Sequence, residues 1–167
     1  MTASSAGTAS GLLSCDVSAD GLTIAAGTEL QGEDASILYW WVRVIVIVPS
    51  NGILTYHIRD PRNPAAPLRA HSSTHSDDIT ALHFFRPATS STSNAGNLLL
   101  SASSDGLICT SNADEADEDE AGLHVGNWGC SIAQAGWLHD RAGRPAAWAS
   151  SDMETFSVWT TEVSCYS

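Results

Sequence analysis

Leu98-Leu99-Leu100-Ser101-Ala102-Ser103-Ser104-Asp105-Gly106-Leu107-Ile108 is the stretch that decides the fold class. A short apolar run meets the turn signal Ser104-Asp105-Gly106 and then resumes, which is the pattern of a β-hairpin. The chain does this again: Ala146-Ala147-Trp148-Ala149 runs into Ser150-Ser151-Asp152, and Phe156-Ser157-Val158-Trp159 follows. The two Ser-Ser-Asp turns lie 47 residues apart. Further out, Leu22–Ala26 follows Ala19-Asp20-Gly21, Ile37–Trp40 follows a polar segment, and Ile79–Phe85 runs up to Arg86-Pro87. Few stretches carry apolar residues at three-to-four spacing. The expectation is an all-β molecule of short strands joined by evenly spaced turns.

Composition bounds what such a molecule can be. The 167 residues suffice for one domain with a core, and 43% of them are hydrophobic. All seven basic residues are arginine, against nineteen acids, for a net charge of −12. That balance excludes a nucleic-acid or anionic-membrane surface, which needs clustered cations. Cys15, Cys109, Cys130 and Cys165 form no C-x-x-C pair, so a zinc ribbon is not expected, and no cofactor is implied. Met1–Ser10 lacks the basic start and apolar block of a secretory signal and is expected to be disordered. The longest apolar run, Val44–Val48, is far short of the roughly 20 residues of a membrane helix. An intracellular setting, cytoplasmic or nuclear, with free thiols is the expectation.

A period in the forties with a small-Ser-x-Asp turn and a terminal Trp is the sign of propeller blades. The chain resembles the WD-repeat family through Leu98–Ile108, through Ala147–Thr160 and through Ile24–Glu29. His75–Thr80, Ala26–Glu29 and the acidic stretch after the middle repeat resemble one subgroup within it. The resemblance implies a partial, open WD-repeat β-propeller of four-stranded antiparallel blades over 11–160. The expected blades are roughly 11–40, 75–112 and 126–160, with an acidic loop at 113–121 and a tail at 161–167.

Spacing singles out one segment. From Trp40 to the equivalent Ser111 is 71 residues, whereas Ser111 to Trp159 is 48. Without Trp41–Arg59 the first interval shortens to 52 and Trp40 is followed directly by Asp60, restoring a Trp-Asp pair. Two readings stand: 41–59 as a translated intron, or Val42–Val48 as a genuine buried strand, which its β-branched residues would suit.

In the family, a His, a Ser or Thr, an Asp and a Trp form a hydrogen-bonded tetrad in a blade. Matched by position, the middle blade offers His75, Ser101 or Ser103, and Asp105, with Ser111 where the Trp belongs. The last blade offers Asp152 and Trp159, and the first offers Trp40. A hydrolase triad of His75, Ser103 and Asp105 is the rival reading; it lacks a Gly-x-Ser-x-Gly elbow. His71 and His75 lie four apart, but Ser72–Thr74 reads as loop and no metal site is expected. Trp128, Trp137 and Trp148 read as packing residues.

Asp114, Glu115, Asp117, Glu118, Asp119 and Glu120 carry half the net charge. They read either as a solvated loop extended by self-repulsion or as a docking patch for a basic partner. The expected function is a non-enzymatic interaction scaffold for protein or peptide partners. It would be a fragment of a longer propeller, or else a non-functional truncated product; an enzyme with an unrecognised site is the remaining alternative. Three blades leave two faces open. Several hundred Å² of apolar face at roughly 25 cal/mol per Å² is on the order of 10 kcal/mol, a whole domain's stability, so self-association through those faces is a further expectation.

Overall fold

The computed structural model describes residues 11–41, 67–87, 97–141 and 143–160. Three antiparallel sheets follow one another along the chain. The first has the order β1 (Leu12–Val17), β2 (Thr23–Thr28), β3 (Ala35–Trp41), β4 (Arg69–His75). The second runs β5 (Ala81–Phe84), β6 (Leu98–Ala102), β7 (Leu107–Asn112), β8 (Gly122–Asn127). The third holds β9 (Ile132–His139), β10 (Pro145–Ser151) and β11 (Phe156–Thr160). One helical turn, α1 (Glu118–Ala121), precedes β8. Of the suspected insert 41–59, only Trp41, the last residue of β3, falls within the described residues; the segments 1–10 and 161–167 fall outside them.

The turn at Ser103–Leu107 forms because each polar group in it has work. Ser103 Oγ accepts from the amide of Asp105 (3.1 Å), and Asp105 Oδ1 accepts from the amide of Leu107 (2.8 Å). Gly106 takes φ +84°, a left-handed conformation that glycine adopts without steric cost, and a β-carbon there would crowd the backbone of Cys130.

The sheets stack face to face, and β6 shows how. All five of its residues are buried. Leu99 packs with Ala25, Ile37, Tyr39, Ile79, Leu82 and Phe84 in a core between the first and second sheets. Leu100 and Ala102, on the opposite face, pack with Ile108, Ile132, Ala135, Ala147 and Ala149 in a core between the second and third. A strand covered on both faces has no reason to alternate, which accounts for the Leu98-Leu99-Leu100 run.

The first strands of the sheets are sewn together. Ser14 Oγ donates to the carbonyl of Ile79 (2.8 Å) and the amide of Phe84 donates to Asp16 Oδ2 (2.8 Å), joining the first sheet to the second. Thr80 Oγ1 donates to the carbonyl of Ile132 (2.6 Å) and Trp137 Nε1 to that of His83 (2.8 Å), joining the second to the third. At Gly27 of β2 a side chain would collide with Ile79 and with the Ser14 hydroxyl, so the close approach there requires glycine.

Several sequence expectations change. Ser72–Thr74 is not loop; it lies within β4, the outer strand of the first sheet. Its apolar signal is missing because an outer strand with exposed Ser72 and Ser73 needs none. The sheets are also staggered against the repeats: β4 ends at His75, where the middle repeat was expected to begin, and β8 carries the second sheet to Asn127. The acidic segment 113–121 is not extended throughout, because α1 forms within it. The Asp117 carboxylate accepts from the amide of Asp119 at the N-cap, and Glu118, Asp119 and Glu120 in the first turn suit the positive end of the helix dipole.

Candidate functional site

His75, at the end of β4, reaches across to the second sheet. Its Nε2 is 2.8 Å from Ser101 Oγ on β6, and its Nδ1 is 3.4 Å from Asp105 Oδ2 in the β6–β7 turn. Asp105 Oδ2 also accepts from the amide of Ser76 (2.9 Å). Ser103 is not a partner of the imidazole: its Oγ donates to the carbonyl of Asp77 (2.9 Å). His75 is 3% exposed and Ser101 1%. Burial pushes the imidazole's pKa below its ordinary value although Asp105 pulls the other way, so the ring is held neutral. A hydroxyl sealed in this way has no path to a substrate.

The other candidates are not brought into that network. Ser111, at the position of the missing Trp, faces the first sheet, where the buried ring of Tyr39 lies. Trp159 packs edge-on against Trp128 (5.6 Å between ring centres) beside the second core, with Trp137 also packed there. Trp148 stacks on Phe156 (6.0 Å) and lies over Gly136. Asp152 is exposed in the β10–β11 turn, and Trp40 is half-buried in the first sheet. Among the described residues no three His, Cys, Asp or Glu side chains are arranged to hold a metal ion.

A second group, of which the sequence singled out only His71, lies between the first and second sheets. The guanidinium of Arg69 sits 4.4 Å over the Tyr39 ring, and His71 meets the same ring edge-on at 5.0 Å. Burial raises the Tyr39 phenol to about 12 and lowers the His71 imidazole. Arg69 and His71 lie on an outer strand with no apolar pattern to mark it, which kept their meeting with Tyr39 out of reach of the sequence.

The six acids of the patch divide by role. Glu118 accepts from the amides of Ser72 (2.9 Å) and Ser73 (2.8 Å) and from the Thr74 hydroxyl (2.7 Å), tying α1 to the outer edge of β4. Burial works to raise its pKa, but those hydrogen bonds outweigh it and hold the carboxyl below its ordinary value. Asp114 accepts from Asn97 Nδ2 (2.8 Å), and Glu115 accepts from the amide of Ala116 (2.8 Å). Asp117, Asp119 and Glu120 are exposed. The Arg–carboxylate pairs among the described residues, Arg86–Asp16 and Arg144–Asp140, do not involve the patch.

No protein-family model matches the chain. WD repeat-containing protein GTS1 of Arabidopsis thaliana is 39% identical over 90 residues, covering 53% of this chain and 21% of that protein. An uncharacterized WD repeat-containing protein of Saccharomyces cerevisiae is 32% identical over 135 residues, covering 81% of this chain and 27% of that protein. The chain therefore spans about a quarter of the length of these relatives. Among solved structures, Chaetomium thermophilum Sqt1 bound to the N-terminus of the ribosomal protein L10 superposes with a TM-score of 0.56 over 89% of this chain and 31% of its own, at 18% identity, a likeness of fold.

Proposed function

The chain belongs to the WD-repeat family, with the fold of a partial propeller, and from that premise we propose that it is a non-enzymatic scaffold for basic peptide segments of other proteins. The relatives carry the chain to the family; they do not specify the subgroup of WD repeat-containing protein 89. The observation that carries the basic partner is the row of exposed, arginine-free carboxylates Asp117, Asp119 and Glu120 on a chain of net charge −12. A neighbour of the same fold bound to a segment of a ribosomal protein supports a peptide as the partner. The buried His75–Ser101–Asp105 network is read as structural, because it satisfies polar groups that would each cost about 1–3 kcal/mol if left unpaired. We further propose that the two open sheet faces are covered by additional sheets of the same kind. In this reading the protein works in the cytoplasm or nucleus, where Cys15, Cys109 and Cys130 remain thiols.

The test is a titration of a fluorescent arginine-rich peptide into the full chain at low and at physiological ionic strength. Exposed charges are screened beyond about 8–10 Å at physiological salt. Saturable binding that weakens steeply with salt is expected. Equal affinity at both ionic strengths, or none at either, would refute the basic-partner reading.

A further inference from the structure

Each sheet ends in an outer strand, β4, β8 and β11, and the molecule treats the edges of the first two differently. The edge of β4 is closed, because Glu118 takes the amides of Ser72 and Ser73. The edge of β8 pairs with no other strand among the described residues. Its sequence, Gly122-Leu123-His124-Val125-Gly126-Asn127, contains no Lys, Arg, Asp, Glu or Pro, the residues that usually guard an edge against pairing. Leu123 is 48% exposed and Val125 66%.

Two further observations say what would pair there. Beside β8, between the second and third sheets, lies a cleft of about 190 Å³ walled by Leu100, Ile108, Val125, Ala147 and Trp159. The hydroxyl of Thr110 lines it, 5% exposed and without a hydrogen-bond partner, with His124 and Thr160 as the other polar side chains of the wall. And α1 leads directly into β8, so Asp117, Asp119 and Glu120 stand at one end of the edge. A second copy of the chain would bring the same carboxylates and another net charge of −12. A cationic segment meets the edge without that repulsion.

We propose that the outer edge of β8 takes an extended segment of a partner protein as an added strand, its arginine or lysine side chains against Asp117, Asp119 and Glu120 and a hydroxyl-bearing side chain meeting the Thr110 hydroxyl in the cleft. Main-chain hydrogen bonds supply affinity in this mode, and alternate side chains supply specificity. This rests on the basic-partner reading above and adds to it a location and a conformation.

The probe is a labelled peptide of alternating threonine and valine tipped with arginines, titrated into the full chain. Its control carries the same arginines on a glycine-serine backbone, which does not favour a strand. The threonine-valine peptide is expected to bind more tightly and to slow amide exchange at 122–127. Val125→Lys, an exposed change, is expected to weaken it by about tenfold or more, the loss of a few edge contacts. Thr110→Val, which keeps the side-chain shape, is expected to weaken it about fivefold. Joint replacement of Asp117 and Asp119 by Asn and of Glu120 by Gln is expected to flatten the salt dependence. If both peptides bind equally and Val125→Lys changes nothing, strand addition is wrong while the basic-partner reading survives. If neither peptide binds, both readings fall. Dimerisation that Val125→Lys abolishes, without peptide binding, would assign the edge to a second copy and overturn the proposal.

Discussion

The hydroxyl of Ser101 lies 2.8 Å from Nε2 of His75, and neither group has access to water. Removing it strands the imidazole nitrogen, so Ser101→Ala is expected to lower stability by about 1–3 kcal/mol in chemical denaturation. The imidazoles also set a pH dependence. Burial, the largest influence, lowers the pKa of both His75 and His71 in the fold from the ordinary 6.5. Below about that pH the unfolded chain takes up protons that the folded chain refuses. Stability should therefore hold above pH 6.5 and fall as the pH drops below it, and the fall should shrink in His75→Gln, as followed by thermal melts. The sequence put His75, Ser101, Ser103 and Asp105 into one candidate group on repeat spacing. It left open which serine meets the imidazole, because only the way the first sheet is seated on the second separates them. Nothing in the sequence announced that Tyr39, Arg69 and His71 meet, since their association depends on the pairing of β3 with β4, which lie far apart in the chain.

At the scale of the element, α1 and β4 stabilise each other. Glu118 closes an edge that would otherwise expose two amides, and charge-assisted bonds of this kind contribute about 1.5–3 kcal/mol. Glu118→Ala is expected to destabilise the chain by about 2 kcal/mol and to increase its tendency to associate, read by urea denaturation and by light scattering. The Glu118 carboxyl titrates below its ordinary 4.5 in the fold, so its contribution is present above that pH and lost as the pH falls through the lowered value. The hairpins β2–β3, β6–β7 and β10–β11 were legible because each has apolar runs on both sides of a turn. The outer strands β4 and β8 were not: β4 is polar and is fixed by β3, distant in sequence, and β8 is interrupted by glycine at 122 and 126. The charge of 113–121 was legible, whereas the helical turn that spends one of its carboxylates on β4 was not.

Among the described residues three sheets are stacked in chain order, each joined to the next near its first strand. The two end faces remain apolar. On the third sheet Trp148, Phe156 and Val158 share one, and on the first sheet Val17, Ile24 and Trp40 form a cross-strand row. The repeat period revealed this architecture because stacked leaves reuse one hairpin pattern; it did not reveal the stagger by which His75 belongs to one sheet and bonds with the next. The most direct measurement is a set of nuclear Overhauser contacts in the isotopically labelled full chain between β1 and β5 and between β5 and β9, with the Trp137 indole proton, which donates to the His83 carbonyl, against the protons of His83 and Phe84 as the marker. Contacts from β5 to both β1 and β9, with the β6–β7 and β10–β11 hairpins in separate sheets, are the expected result. Ladder contacts running continuously from β8 into the third sheet, or helical contacts over 98–112, would contradict the stacked-leaf account.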